Sequence, residues 1–431
     1  MLKTFAQAFR TPDLRKKLLF TIGIIVLYRA GSFIPTPGVD YRNVQACVAG
    51  AGNEGIFGII DLFTGGALLQ LSVFALGIMP YITASIMVQL LRVVIPKFEA
   101  LHKEGQSGQS KMTQYTRYIT IGLAILQATT ILAMARGGQL FPGCELPLIP
   151  DGSIGNLTLM VLILTAGTVL IMWFGELITE RGVGNGMSLL IFISIAASFP
   201  SAIGAVAASS GGIGAAAVIL AIIVAIVVLV VFVEQSQRRI QVQYAKRVVG
   251  RKSYGGTSTY IPIKINMAGV IPVIFASSVL ALPMMITQFG DQESGWVQWV
   301  AVNLADPGAP LYLVLFTAMI IFFAYFYTAI TFNPEEISDN MKKYGGFIPG
   351  IRAGRPTTEY LEYVISRITA PGSIYLALVA LIPTIAFISM GVGASIPFGG
   401  SSILIIVSVG LDTVKQIESQ LQQRHYEGFL R

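Results

Sequence analysis

Ten long apolar segments set the architecture that this chain can adopt. A helix needs about 20 consecutive apolar residues to cross the hydrocarbon core of a bilayer. The segments that meet this length lie at residues 18–34, 71–91, 115–135, 157–175, 187–206, 213–233, 267–288, 311–332, 372–391 and 401–417. In lipid, backbone polar groups must be satisfied within the segment itself, which favours helices. The sequence therefore predicts an all-α polytopic membrane protein with ten transmembrane helices.

Composition excludes a soluble globular domain. Hydrophobic residues make up 54% of the chain, charged residues only 12%, and the mean hydropathy is +0.71. These values are typical of polytopic membrane proteins. Residues 1–17 are basic and precede an apolar stretch, as in a signal peptide, but no small-residue cleavage site follows before Tyr28 and Arg29. We therefore expect this stretch to remain as the first span.

The distribution of basic residues predicts the orientation. With the N-terminus inside, all 29 Lys and Arg residues fall on inner segments except Arg29, Arg42 and Arg136. Inner loops of membrane proteins are enriched in Lys and Arg. Both termini are therefore predicted to be cytoplasmic.

The ten spans divide into an N-terminal half, residues 1–206, and a C-terminal half, residues 207–431. Because five spans is an odd number, the two halves would insert with opposite orientation, as in many transporters. A short apolar loop from Pro200 to Gly214 is the predicted join. The sequence shows no residue-level repeat, so the prediction of two inverted five-helix halves rests on topology.

The stretch before the second span contains a helix that is too short to cross a bilayer. Its apolar residues Ile56, Ile59, Ile60 and Phe63 share one helical face, and the glycines at 65 and 66 follow. One interpretation is a half-helix folded into the membrane on a glycine hinge. The other is a loop helix resting on the surface of the bundle. The residues alone leave both open.

Two inner loops, at about 234–266 and 333–369, are much larger than the others. In the first, apolar residues alternate with polar ones on both sides of a turn at Tyr254 to Gly256, which predicts a β-hairpin. The second begins with Asn333 as an N-cap and Pro334 at the first helical position, which predicts a helix. Both loops are basic. Together they favour docking of a large acidic or nucleic-acid-containing partner over charge that only sets topology.

Reactive side chains are nearly absent from the spans. The histidines, His102 and His425, lie in an inner loop and the C-terminal tail, and no phosphate-binding glycine loop is present. The sequence therefore predicts no enzyme, no cofactor, no catalytic residue and no metal site. A secondary transporter with inverted repeats is the rival interpretation, but it would usually carry carboxylates at the midplane, and none is evident. A passive conduit fits better.

The two cysteines, Cys47 and Cys144, both fall on loops predicted to lie outside. They could pair in an oxidising exterior. Chance placement of two small residues is the simpler interpretation.

Several motifs, in order along the chain, carry a family resemblance. They are LFTGGAL, FALGIMPYITASI, FGELITERGVGNGMSLLIF, VEQSQRRI, QYAKR, NMAGVIPVIFASS, FNPEEISDNMKKYGGFIPGIR and FGGSSILIIV. On these motifs the chain resembles the SecY family of protein-conducting channels over essentially its full length. The resemblance implies a passive channel for unfolded polypeptides in a bacterial plasma membrane, which also releases hydrophobic segments sideways into lipid.

The resemblance also implies roles for particular positions. A plug half-helix would span about 55–69, with Ile59, Ile60 and Phe63 on it and a hinge at Gly65 and Gly66; alanines at this hinge should stiffen it and slow opening. A pore ring of six aliphatic residues would comprise Ile78, Ile82, Met187, Ile191, Ile274 and Ile405. Thr83 and Gln127 match polar positions of a lateral gate. Docking arginines would be Arg239, Arg247, Arg251, Arg352 and Arg355. The implied partners are the SecE and SecG subunits, the SecA motor, the ribosome, signal sequences, unfolded polypeptides and membrane lipids.

Overall fold

The computed structural model describes residues 9–51, 64–138, 140–141, 144, 146–208, 212–244, 247–249, 252–254, 258–289, 294–305, 308–389 and 400–427. Its helices in chain order are α1 (Pro12–Gly31), α2 (Tyr41–Ala51), α3 (Met79–Val94), α4 (Pro96–Lys103), α5 (Gln106–Arg136), α6 (Ile154–Arg181), α7 (Gly186–Ala208), α8 (Gly212–Gln235), α9 (Ile271–Phe289), α10 (Gly295–Val300), α11 (Pro310–Thr331), α12 (Pro334–Lys343), α13 (Arg355–Ser389) and α14 (Gly400–Glu427). A π-helical turn, Ala301–Ala305, follows α10.

Each predicted span coincides with a helix: α1, α3, α5, α6, α7, α8, α9, α11, α13 and α14. Within the described residues, six of these are long and apolar enough to cross a membrane by length and composition, namely α5, α6, α8, α11, α13 and α14. Shorter apolar stretches lie in α7 and α9. The predicted all-α polytopic fold is confirmed.

The second span is shorter than its hydropathy predicts. A helix was expected over 71–91, but residues 64–78 form a chain of turns and α3 begins only at Met79. Leu71 and Gly77 both adopt a positive φ, 45° and 56° respectively. A right-handed helix cannot continue through left-handed residues. The predicted start of this span was therefore wrong, although the segment is as apolar as expected.

Hydrogen bonds to the chain that follows α1 hold this turn segment in place. The Thr36 backbone N–H donates to the Leu71 carbonyl over 3.0 Å, and the Val73 N–H donates to the Ile34 carbonyl over 2.9 Å. In a helix these backbone N–H and C=O groups would bond within the segment. Here they bond to residues 34–36 instead. The apolar side chains of the segment stay buried, which is why hydropathy alone suggests a span.

The boundary between the two halves is also shifted. The predicted division at 206/207 and the predicted loop from Pro200 to Gly214 both overlap α7, which continues through Pro200 to Ala208. Next, α8 begins at Gly212. Pro200 is accommodated inside the helix, as membrane helices commonly allow. The two predicted halves stay a prediction with this adjusted join.

Cys47 and Cys144 form a disulfide. It joins α2, which precedes the proposed plug, to the loop after α5, and 97 residues separate the two cysteines in the sequence. The simpler interpretation of two unpaired small residues is therefore corrected. Cys47 is almost completely buried in a cluster with Val44, Leu68 and Leu140, so the bond lies against the packed end of the bundle.

The two large loops form one body. The predicted hairpin is present as strands β1 (Gln237–Tyr244) and β4 (Ser258–Lys264), and a short second pair, β2 (Arg247–Val249) and β3 (Lys252–Tyr254), extends it. From the other loop, β5 (Gly346–Phe347) pairs with β1, which gives a three-stranded sheet in the order β4-β1-β5. We call the body formed by this sheet, α12 and residues 355–368 of α13 the loop platform.

The loop platform has its own apolar core. The buried residues of this core are Ile240, Val242, Ile263, Met341, Ile348, Leu361, Val364 and Ile368. The side chain of Asn333 accepts hydrogen bonds from the backbone N–H groups of Glu335 and Glu336, which confirms the predicted N-cap of α12. Strand alternation therefore predicted the hairpin, and helix capping predicted α12. No pattern in the sequence indicated that the two would share one core.

Candidate functional site

The structure brings all six predicted ring residues into one apolar cluster. Ile78 and Ile82 lie at the start of α3, Met187 and Ile191 in the first turns of α7, Ile274 on α9 and Ile405 on α14. Four of them are buried, with exposed fractions of 1% for Ile78, 4% for Ile191, 9% for Ile274 and 1% for Ile405. Ile82 and Met187 are partly buried and pack against the same cluster. The six positions, on four separate elements, therefore belong to one apolar core, and the ring that they would form stays a prediction.

Local structure explains why methionine occupies one ring position. The Asn185 side chain accepts a hydrogen bond from the Met187 backbone N–H over 3.1 Å, which starts α7. The Met187 thioether lies over Gly175 of α6, where a β-carbon would overlap it. A β-carbon on Gly186 would likewise overlap the Gly175 carbonyl oxygen. An unbranched, flexible side chain suits this notch between two closely packed helices.

The two hinge glycines adopt conformations that favour glycine. Gly65 has φ 70° and Gly66 has φ 90°. Their surroundings differ: a β-carbon on Gly65 would lie 3.1 Å from the Ser194 Cα, whereas a β-carbon on Gly66 meets no atom within 4 Å. Gly65 is therefore constrained by conformation and by space, and Gly66 by conformation alone.

Arg29, at the end of α1, holds the hinge. Its Nη1 donates a hydrogen bond of 2.7 Å to the Gly65 carbonyl oxygen. The neighbouring Tyr28 hydroxyl shares a hydrogen bond of 2.7 Å with the Ser194 hydroxyl on α7, and its ring stacks on Phe74 at 5.9 Å between centroids. The sequence treated Arg29 only as an interfacial charge. The one feature of the sequence that could have drawn attention to Arg29 is that it is one of the few outward basic residues and lies about one turn from the end of a span.

The plug residues themselves, Ile59, Ile60 and Phe63, lie outside the described residues. The structure therefore describes the two glycines and the Arg29 hydrogen bond beside them, and both the hinge and the plug stay predictions.

The two predicted lateral-gate residues lie on α3 and α5, and the gate itself stays a prediction. α3 contacts α9, as well as α5. Thr83 is partly buried and donates to the Met79 carbonyl over 3.1 Å within its own helix. Gln127 is partly buried on α5. Among the described residues no hydrogen bond joins Thr83 to Gln127, so a polar seam between them stays a prediction.

Three of the five docking arginines have described side chains, and all three are exposed on the loop platform. Arg239 lies over the Tyr260 ring at 4.8 Å from its centroid, on β1. Arg352 is exposed in the turn before α13, and Arg355 pairs with Glu359 over 3.1 Å. Arg247 lies on β2 with no described side chain, and Arg251 is outside the described residues. The shared sheet places arginines of both loops on one body.

One ion pair between spans was missed by the sequence. Arg117 on α5 donates from Nε and Nη2 to both carboxylate oxygens of Glu176 on α6, over 2.8 and 2.7 Å. The Glu176 side chain is only 18% exposed and that of Arg117 39%. Bidentate pairs of this kind are geometrically specific. From sequence, Arg117 counts only as one of the inner basic residues, because spacing cannot pair residues on different helices.

Among the described residues, no group of three or more His, Cys, Asp or Glu side chains could hold a metal ion. The features that the structure does describe are an apolar core that contains the six predicted ring positions, two glycines with positive φ before α3, and a basic loop platform.

Comparison with known proteins gives a consistent result. The SecY family model matches residues 72–414. The protein translocase subunits SecY of Streptomyces coelicolor and Mycobacterium tuberculosis are 64% and 59% identical to this chain, with all of both chains covered. A solved protein-conducting channel has a TM-score of 0.64 at 20% identity, covering 94% of this chain and 91% of its own. A SecY protein whose plug domain stabilises its closed state has a TM-score of 0.62 at 17% identity, with the same coverage. At these identities the two structures show the fold alone.

Proposed function

Because this chain belongs to the SecY family and is a multi-pass membrane channel for protein translocation, we propose how its own residues seal, open and drive that channel. The observation that carries the proposal is the convergence of six aliphatic side chains from four helices. A narrow apolar constriction excludes water and ions, yet it offers no strong contact to an extended polypeptide. The β-branched isoleucines are stiff at χ1, which suits a seal of fixed width.

The glycine hinge is proposed to carry a plug of about residues 55–69 that closes the channel on one side. Support comes from the positive φ of Gly65 and Gly66 and from the Arg29 hydrogen bond to the Gly65 carbonyl. A hinge held by one hydrogen bond in a glycine-favouring conformation can open at modest free-energy cost. With cytoplasmic termini, the loop between the first two spans lies outside, so the plug would close the channel from the outer side.

A lateral gate is proposed between α3 and α5 on one side and α9 and α11 on the other. The contact between α3 and α9 supports it, and Thr83 on α3 and Gln127 on α5 are both partly buried. Partly polar side chains at an apolar seam weaken its closure, so an apolar signal helix could compete for it. The gate would release hydrophobic segments into lipid.

The loop platform is proposed as the docking surface for the SecA motor and for the ribosome. Exposed Arg239, Arg352 and Arg355 on one body support this, because clustered arginines bind acidic side chains and phosphates. With cytoplasmic termini, the platform would face the cytoplasm of a bacterial plasma membrane. SecE and SecG are proposed as the accompanying subunits. A structure of a Sec61 channel with a ribosome shares the fold.

The ring is tested by making one of its positions polar. In the reconstituted complex, Ile405→Asn should raise ion conductance through the resting channel, because a polar side chain admits water at the constriction. The control is Ile385→Asn, the same change at a position on α13 that is 52% exposed, and it should leave conductance unchanged. Ile405→Val should keep both the seal and translocation.

Two outcomes would contradict the ring. One is unchanged conductance in a correctly folded Ile405→Asn protein. The other is conductance that requires a coupling solute, which would favour a secondary transporter.

A further inference from the structure

A buried polar contact closes the base of the loop platform. Glu234 is at the end of α8 and Asn266 lies two residues after the end of β4, so the β-hairpin leaves the bundle between them. The Asn266 amide donates to the Glu234 carboxylate over 2.6 Å and to the Gly269 carbonyl over 3.1 Å. Glu234 is 7% exposed and Asn266 is 3% exposed. A carboxylate buried to this degree depends on its hydrogen-bond donor, so the two side chains are constrained to move together.

This contact lies next to helix α14, which carries a ring residue. The buried Ser408 of α14 lies close to the Glu234 carboxylate. Lys264, the last residue of β4, pairs with Asp412 of α14 over 3.5 Å. Ser408 and Asp412 follow Ile405 by about one and two helical turns, so all three lie on one side of α14. The base of the hairpin therefore contacts the ring helix at two points.

Helices α9 and α13 are bound into the same junction. The Asn266 hydrogen bond to the Gly269 carbonyl fixes the turn that begins α9, and Ile274 of the ring lies in the first turn of that helix. On the other side, Gly372 of α13 packs so closely that a β-carbon there would lie 2.6 Å from the Ile265 carbonyl oxygen. Because packed elements of this kind shift together, a displacement of the hairpin base must displace α9 and α14.

We propose that the Glu234–Asn266 contact is a positioning contact that couples the loop platform to ring residues Ile274 and Ile405. A docked partner can change the ring only if it binds one platform position better than another and if that position is linked to the ring. The Glu234–Asn266 contact supplies the link. The inference rests on the proposed docking function, and it adds the residues through which docking acts on the pore.

Removing the hydrogen-bond donor tests the coupling. In the reconstituted complex with SecA and ATP, Asn266→Leu should lower the turnover rate of translocation about tenfold, while the affinity of SecA for the complex stays at its wild-type value. Glu234→Gln should keep turnover near wild type, because its amide oxygen still accepts the Asn266 hydrogen bond. Asn303→Leu, the same substitution between α10 and α11, is the matched control and should change neither quantity.

Ion conductance gives the second readout. In wild-type protein, bound SecA should raise conductance through the ring, and in Asn266→Leu this increase should be lost while the resting conductance is unchanged. A role limited to folding would lower affinity and turnover together and would raise resting conductance, and that pattern would overturn the coupling. Wild-type turnover in Asn266→Leu would overturn it as well.

A separate variant distinguishes this inference from the docking proposal. Arg352→Glu should weaken SecA binding, with normal turnover at saturating SecA. If Arg352→Glu leaves SecA affinity intact, the assignment of Arg352 to docking is wrong, and the Asn266→Leu result still decides the coupling, because turnover is measured with SecA bound.

Discussion

Alanine at the two hinge glycines separates backbone strain from steric overlap. An L-residue in the left-handed region costs about 1–2 kcal/mol relative to glycine. Gly66→Ala should carry only this cost, because its β-carbon would meet open space. Gly65→Ala adds a second cost, since its β-carbon would lie 2.5 Å from the Arg29 Nη1 and would displace that group from the Gly65 carbonyl. Losing a hydrogen bond to a charged group costs about 1.5–3 kcal/mol.

These costs apply to the conformation that the structure describes. If that conformation is the closed one, they predict the opposite of the expectation from sequence that alanine slows opening. With about 1.4 kcal/mol for each factor of ten, Gly66→Ala should shift the equilibrium towards open about tenfold, and Gly65→Ala by at least about a hundredfold. The assay is ion conductance of single reconstituted channels without a motor. Gly204→Ala, inside α7 with open space around it, is the control and should not increase conductance.

A double-mutant cycle with Arg29→Met checks the mechanism. Arg29→Met removes the hydrogen bond and the crowding at once, so its effect and that of Gly65→Ala should be strongly non-additive, whereas its effect and that of Gly66→Ala should add. The reasoning fails if Gly66→Ala opens the channel as much as Gly65→Ala, or if both reduce conductance.

Two further contacts give independent predictions. Reducing the disulfide, or replacing Cys47 by Ser, should lower the Tm of the solubilised protein; with 97 residues between the cysteines the loss of stability is at most about 4–5 kcal/mol, because inserted spans already restrict the loop. Reductant that leaves the wild-type Tm unchanged would contradict this. Glu176→Gln should lower the free energy of unfolding by about 1–2 kcal/mol because it weakens the pair with Arg117, whereas Lys111→Gln, at a pair exposed on both sides, should change it by less than about 0.5 kcal/mol. Equal effects in a denaturant titration would contradict the assigned difference.

Hydropathy predicted the spans because burial in lipid and burial in a core demand the same apolar residues. It failed at residues 64–78 for the same reason: Leu71 and Phe74 are buried in turns as fully as they would be in a helix. Gly77 is visible in the sequence, but a glycine permits a left-handed φ without requiring it. Backbone conformation at this point depends on hydrogen bonds to residues 34–36, which no local pattern contains.

The ring residues were predicted through family motifs, and the structure places all six in one apolar core. Pairs such as Ile78 with Ile82 share a helical face by spacing alone, and most such pairs are ordinary core. The contacts that hold the site, such as Arg29 with Gly65 and Asn266 with Glu234, join residues that are 36 and 32 positions apart. Each contact joins polar groups near the end of a span. From sequence alone, a polar residue at such a position is assigned by default to the membrane interface.

The Arg29 contact and the Asn266 contact lie on different sides of the predicted ring. Arg29 acts on the hinge that leads into α3, the helix that begins beside Ile78. The Asn266 junction acts on α9 and α14, which carry the ring residues of the C-terminal half. If the platform acts on the ring as proposed, its signal passes through α9 and α14 and not through the predicted hinge. The Arg29 hydrogen bond to the Gly65 carbonyl and the positive φ of Gly65 and Gly66 involve no residue of the platform. Under this proposal, separate restraints on the two sides would allow the constriction to widen from one half while the hinge still resists opening, and that order of events would limit ion leakage before a polypeptide fills the pore.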